Sequence, residues 1–231
     1  MEMVSRALLW ATLLWASPLL ALQLGDKVPD FTLPSTEGPF TLSEQGADHW
    51  VLLVSHPAAF TPICTTELAA LAQEREWFAE RGVKLAAIAV GDAETLARWR
   101  ADISKLAGKS VGYPLLADGE RQVSEQLGML HPKALDTHTV RSVLIIDRRQ
   151  RLRLRIDYPP DIGRNVDEIK RVTEALLRSE RYHLMAPVNW VPGTDMVVPG
   201  WMQSEQAKEL FGTLSEGAVP YLRYTPDPDR R

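Results

Sequence analysis

Trp50-Val51-Leu52-Leu53-Val54-Ser55, then His56-Pro57-Ala58-Ala59-Phe60-Thr61, then Pro62-Ile63-Cys64-Thr65-Thr66-Glu67-Leu68 is the stretch that decides the fold. The first part is an unbroken apolar run, the pattern of a strand covered on both faces in a parallel sheet. The second carries Pro57 and reads as a loop. In the third, Thr61 is a good N-cap and Pro62 suits the first helical position, which puts Cys64 at the third, among N–H groups with no partner inside the helix. From Cys64 to Arg81 the pattern is helical, with Leu68, Leu71, Ala72, Phe78 and Ala79 on one stripe and Gly82 as the stop.

Outward from this unit the alternation continues. Val83 to Val90 reads as a strand and Ala93 to Leu106 as a helix, followed by a short strand near Pro114 to Ala117 and a short helix near Glu120 to Gly128. Arg141 to Asp147 and Arg151 to Asp157 form a hairpin, and a helix spans Asn165 to Arg178. Before the opening strand, Phe31-Thr32-Leu33 and Phe40-Thr41-Leu42, separated by Pro34 and Gly38-Pro39, read as another hairpin. The sum is an α/β sandwich with a mixed sheet. After Ser179 prolines interrupt the chain, Trp190 and Trp201 lie in loop-like sequence, and only Gln203 to Leu214 looks helical. Apolar aromatics without a core of their own need a surface, so this segment is expected to be an arm laid on a second copy in a two-fold homodimer, partly covering the entrance to Cys64.

The chain has 231 residues, enough for one domain with a sizeable appendage. Its 45% hydrophobic and 24% charged residues exclude disordered and collagenous classes. A net charge of -4 argues against a nucleic-acid partner. The single cysteine excludes an intrachain disulfide, a cysteine zinc cluster, an iron–sulfur site and a Cys-x-x-Cys pair. Residues 1–22 stand apart from the fold. Arg6 followed by the apolar run Ala7 to Ala16 and the small residues Ala16 to Ala21 reads as an export signal. An uncleaved anchor and a start codon set upstream of a cytoplasmic protein are the alternatives. The apolar stretch Ala7 to Leu22, about 16 residues long and interrupted by Pro18, is short of the roughly 20 that a bilayer requires, so stable membrane insertion is expected only if the leader is retained.

A thiolate at the third position of a helix is stabilised by the helix dipole and by backbone donors, which makes Cys64 the candidate nucleophile. The bland alternative is a buried cysteine acting as a small hydrophobe. Arg141 supplies a second cation: if its strand runs antiparallel to Trp50–Ser55, the start of the later strand lies by the end of the earlier one, and its guanidinium reaches the sulfur. Read alone, an arginine at a strand start is a solvated charge.

Pro57, Thr61 and Cys64 form Pro-x-x-x-Thr-x-x-Cys, which resembles the active-site signature of peroxiredoxins, in the one-cysteine, peroxiredoxin-6-type variant. Further matches are Ser55-His56-Pro57, Cys64-Thr65-Thr66-Glu67, Gly128-Met129-Leu130, Tyr158-Pro159, Gly163-Arg164-Asn165 and Tyr221-Leu222-Arg223-Tyr224-Thr225-Pro226, spanning residues 24 to 226. The resemblance implies a thioredoxin-like peroxiredoxin domain over 24–180 and a C-terminal extension over 181–231 involved in dimer contacts. It implies that Cys64 is the peroxidatic nucleophile, that Thr61 hydrogen-bonds the peroxide, that Pro57 shields the sulfur and that Arg141 polarises the site, with His56 and Glu67 supporting. No cofactor and no metal are implied. A thiolate attack on hydrogen peroxide or an alkyl hydroperoxide leaves a sulfenic acid on Cys64, which an external thiol or other reductant must then remove. The alternative from another class is a peroxide sensor without turnover, or a thiol holdase, using the same cysteine.

Other motifs carry less. Some members of this subfamily have a phospholipase serine in Gly-Asp-Ser-Trp-Gly, and here Gly46-Ala47-Asp48-His49-Trp50-Val51 has His49 in its place. Ser55 beside His56 is no substitute, because neighbouring strand residues point to opposite faces. Gly108-Lys109-Ser110 lacks the first glycine of a phosphate loop. His131 and His138 are too far apart for one helical face and lack a third ligand. Trp77, Phe78, Trp99 and Met129 are expected in the core or at an interface.

Overall fold

The computed structural model describes residues 22–130 and 139–230. The leader reading and the His131/His138 pair therefore fall outside the described residues, apart from Leu22. An opening hairpin of β1 (Thr32–Leu33) and β2 (Phe40–Thr41) leads through the short α1 (Leu42–Gly46) into β3 (Trp50–His56). Then come α2 (Pro62–Gln73), α3 (Arg75–Ala79), β4 (Val83–Ala89), α4 (Ala93–Ala107), β5 (Leu115–Ala117), α5 (Gln122–Gln126), β6 (Arg141–Ile146), β7 (Leu152–Tyr158) and α6 (Val166–Tyr182). The arm adds β8 (Met196–Val197), α7 (Ser204–Phe211), β9 (Ser215–Glu216) and β10 (Arg223–Thr225).

The central sheet has the order β5-β4-β3-β6-β7 and is mixed. β3 pairs with β4 in parallel, Val54 opposite Ala87, and with β6 antiparallel, Val54 opposite Val143. Both neighbours and both faces of β3 are occupied, and all seven of its residues are buried, as its unbroken apolar run requires. One face packs under α2, α4 and α6 around Leu52, Val54, Leu68, Phe78, Trp99 and Ile103. The other covers Val51, Leu53, Ile88 and Leu144 with Phe31, Phe40, Leu127 and Met129. Each such side chain contributes about 1.5–3 kcal/mol by leaving water. Helix ends follow local chemistry: Asp92 caps α4 by accepting from Thr95 N, Asn165 caps α6 by accepting from Glu168 N, and Gly108 ends α4 at φ 70. That last role accounts for the glycine of Gly108-Lys109-Ser110. Among the described residues no helix is long and apolar enough to cross a membrane.

Three expectations need correction. The helix expected from Cys64 to Arg81 is broken at Glu74, whose N–H is shared between the carbonyls of Ala70 and Leu71, so that α2 and α3 are separate. The last helix of the domain runs past Arg178 to Tyr182 and ends on His183 in the left-handed region. The arm has a core after all: Leu184, Trp190, Met196, Val198, Met202 and Ala207 are buried together beside Ala175 and Tyr182 of α6. Its strands β8, β10 and β9, of two or three residues, form a sheet of their own. The tail fastens it, with the Arg178 guanidinium donating to both Asp227 oxygens at 2.9 Å and Tyr182 donating to Asp229 at 2.5 Å. Trp201, 66% exposed, and Tyr221, 77% exposed, remain outside that core.

Candidate active site

Four segments converge at the carboxyl end of β3: the end of that strand at His56, the first turn of α2, the start of β6 and the residues just before α6. Cys64, on α2, is fully buried and is the protein's free thiol. The antiparallel β3–β6 register brings Arg141 to it, and Arg141 Nη1 donates to Cys64 Sγ at 3.0 Å. The same Nη1 donates to Glu67 Oε2 at 2.9 Å, and Arg141 Nε donates to the Pro160 carbonyl at 3.0 Å. Glu67 lies one turn along α2 from Cys64, which points its carboxylate into the same buried space.

Arg164 completes the cluster. Its backbone N and Nε donate to Glu67 Oε1 at 2.7 and 3.0 Å, and its Nη2 donates to Oε2 at 2.8 Å. Its Nη1 donates to the carbonyls of Ser55 and Ser142 at 3.0 and 2.9 Å, tying β3 to β6. Sequence reasoning quoted Arg164 inside a matched motif but gave it no role. Its neighbour Gly163 lies against α2, where an added Cβ would stand 3.5 Å from Ile63, an ordinary van der Waals contact.

His56 lies with its ring nitrogens 3.0 and 3.2 Å from Arg164 Nη2. Burial, and then the positive charges of Arg164 and Arg141, hold its pKa well below the usual imidazole value. Its approach to Glu67 at 3.6 Å is therefore the contact of a neutral ring and not an ion pair. The charged side chains around Cys64 are two guanidiniums and one carboxylate. His56, Cys64 and Glu67 offer ligand atoms within 4.8 Å of one another. A divalent cation would nonetheless enter against two guanidiniums already bonded to the sulfur and the carboxylate.

Thr61 sits at the N-cap of α2, but its hydroxyl donates to the Ala58 carbonyl at 3.1 Å and makes no cap bond. The N-cap expectation thus holds for the backbone and not for the side chain. Pro57 lies half-buried in the loop between β3 and α2. Phe60, 51% exposed, holds φ 58 and rests its ring 6.4 Å from that of Trp99. Ser55 is buried, donating to the Val140 carbonyl at 2.5 Å and accepting from Ser142 N at 2.9 Å, which leaves it no nucleophilic role. His49 lines a cleft of about 510 Å³ with Phe40, Lys84 and Tyr113, to which no serine contributes.

The AhpC/TSA family model matches residues 24–155. A 1-Cys peroxiredoxin of Dictyostelium discoideum is 39% identical over 209 residues, which cover 90% of this chain and 87% of that one. The solved structure of the peroxiredoxin 6 of Arenicola marina, a cysteine-to-serine mutant, superposes with a TM-score of 0.85 at 36% identity, covering 90% of this chain and all of the other. A yeast mitochondrial 1-Cys peroxiredoxin, described for its thiol resolving mechanism via glutathione and thioredoxin systems, superposes at 0.83 with 36% identity over 89% of this chain and 99% of that one. With a single cysteine under a guanidinium at the end of the central strand, the chain belongs to the AhpC/TSA family, as a peroxiredoxin of the one-cysteine, peroxiredoxin-6 type.

Proposed function

We propose that the protein reduces hydrogen peroxide and alkyl hydroperoxides through Cys64, and the observation that carries this is the 3.0 Å contact of the Arg141 guanidinium with its sulfur. The thiolate attacks one peroxide oxygen, an S–O bond forms as the O–O bond breaks, and the other oxygen takes a proton and leaves as water or alcohol. Arg141 holds the thiolate and donates to the oxygen on which charge develops, and Thr61 binds the incoming peroxide. Glu67 and Arg164 hold Arg141 in place, and neutral His56 is an acceptor among donors. Cys64 ends as a sulfenic acid, and with no second cysteine an external thiol condenses with it to a mixed disulfide, releasing water; a second thiol then attacks the external sulfur, displacing Cys64 as the thiolate and leaving the two external thiols joined as a disulfide.

Peroxide consumption by the purified protein, with thioredoxin, glutathione or ascorbate offered in turn, tests the reading. Sustained turnover with a thiol, abolished in Cys64→Ser, is expected. Consumption of one equivalent with every reductant would replace the enzyme by a sensor. A homodimer is part of the same proposal, supported by the exposed Trp201 and Tyr221 on the arm. Light scattering on the full-length protein gives a dimer mass if the proposal holds, and a monomer overturns it. Export is the reading favoured for the apolar leader, and an intact mass from the native host beginning near Leu22 to Leu24 is the result expected.

A further inference from the structure

The first turn of α2 carries Cys64, and its stability is set from outside the helix. A helix start leaves its first N–H groups without partners and is where fraying begins. The usual remedy, an N-cap side chain, is missing because the Thr61 hydroxyl is turned to the Ala58 carbonyl. What holds the turn comes from α4. Trp99 is almost fully buried, and its Nε1 donates to Thr65 Oγ1 at 3.0 Å. An indole N–H can only donate, so Thr65 Oγ1 must accept there and send its own proton elsewhere. It donates to the Thr61 carbonyl at 2.8 Å, which already accepts from Thr65 N at 3.0 Å. The N-cap carbonyl is thereby held twice. The Trp99 ring also stands edge-on to His56 at 6.1 Å and supports Phe60.

We infer that Trp99 and Thr65 are a positioning pair for the peroxidatic cysteine: the relay from indole through hydroxyl to the Thr61 carbonyl fixes the first turn of α2 and so keeps Cys64 Sγ within reach of Arg141. Neither residue touches the reacting atoms. The geometry tolerates little slack, since the sulfur meets a guanidinium that Glu67 and the Pro160 carbonyl hold from other sides. A turn that moves by a fraction of an ångström weakens that contact, and with it both the thiolate and the attack.

The inference rests on the peroxidase reading, and the experiment separates the two. Thr65→Val keeps the shape and removes the hydroxyl, Thr65→Ser keeps the hydroxyl, and Trp99→Phe removes the indole donor while keeping a ring. The second-order rate of Cys64 oxidation by hydrogen peroxide is followed by stopped flow, with the ultraviolet thiolate absorbance titrated against pH on the same proteins. Loss of one buried hydrogen bond predicts a rate roughly 10-fold lower in Thr65→Val. The thiolate titration should move to higher pH, Thr65→Ser should recover most of the rate, and the double variant should be no slower than the slower single variant. A Thr65→Val rate within about twofold of the unaltered protein overturns the inference. So does a slower rate with an unmoved thiolate titration, which would make the pair merely structural, and so does additivity in the double variant. Should Trp99→Phe fail to fold, the Thr65 comparison decides alone. Wild-type protein inert toward peroxide would instead defeat the peroxidase reading.

Discussion

Replacing Glu67 by glutamine keeps the side chain's shape and removes its charge, in a place where the structure leaves no room for an amide. Both carboxylate oxygens accept twice: Oε1 from Arg164 N and Nε, Oε2 from Arg141 Nη1 and Arg164 Nη2. An amide has one oxygen, so in either orientation its NH2 faces two donors and two charge-assisted hydrogen bonds are lost. At about 1.5–3 kcal/mol each this comes to about 3–6 kcal/mol, in line with the usual cost of removing one partner of a buried ion pair. With a urea dependence of about 2 kcal/mol per molar, the unfolding midpoint should fall by about 2 M. Reduced protein would be unfolded in urea at neutral pH and followed by circular dichroism. A fall below about 0.5 M would mean that Glu67 is not the buried counter-charge of Arg141 and Arg164, and the account of the site would fail.

His56 sets a dependence on pH. Its folded pKa lies well below 6.5, so as pH falls through about 6.5 the unfolded ring takes up a proton that the folded ring refuses. Stability is therefore full above that pH and declines below it, by up to about 1.4 kcal/mol per pH unit. His56→Asn should flatten the decline between pH of about 5 and 6.5 in denaturant midpoints, and an unchanged slope would refute it. Arg141→Met should slow peroxide attack about 100-fold and lower the thiolate absorbance at neutral pH, and a rate within a few-fold of the unaltered protein would remove Arg141 from the chemistry. Gly112 has φ +67 and the Arg75 guanidinium lies directly over it, donating to the Ser110 carbonyl. Gly112→Ala should destabilise by about 1–2 kcal/mol in thermal melts, and an unchanged or raised melting temperature would contradict the packing.

The local parts of the site were legible, and of the parts brought in from distant chain only Arg141 was. Pro62 and Thr61 mark a helix start by backbone preference alone, which places Cys64 without any tertiary knowledge. Arg141 followed from one further step, the antiparallel neighbour of a strand whose direction was known. By helical pattern alone Glu67 falls off the apolar stripe of its helix, like an ordinary surface acid, and only the family resemblance gave it a supporting role. Its partners come from 74 and 97 residues away. Arg164 lies in a turn between β7 and α6, where no periodicity reports direction. The break at Glu74 leaves the apolar stripe nearly in phase, so the pattern runs through it. In the arm, strands of two or three residues are too short to show alternation, and a core of six buried side chains looked like loose aromatics.

Arg141, whose guanidinium meets the Cys64 sulfur, lies 77 residues away in the sequence. β3 pairs in parallel with the nearby β4, but Arg141 reaches the site only through the antiparallel pairing of β6 on the other flank, and Arg164 only with the turn before α6, long-range contacts of the kind that make folding slow. Until then the newly made chain carries a thiol like any other. Peroxide reactivity is in that sense an emergent property of the finished tertiary structure, one that a partly folded molecule does not express and that vanishes again on unfolding. A refolding experiment that samples reactivity with time should show it rising with the final packing phase and not with helix formation, and an early rise would contradict this order of assembly.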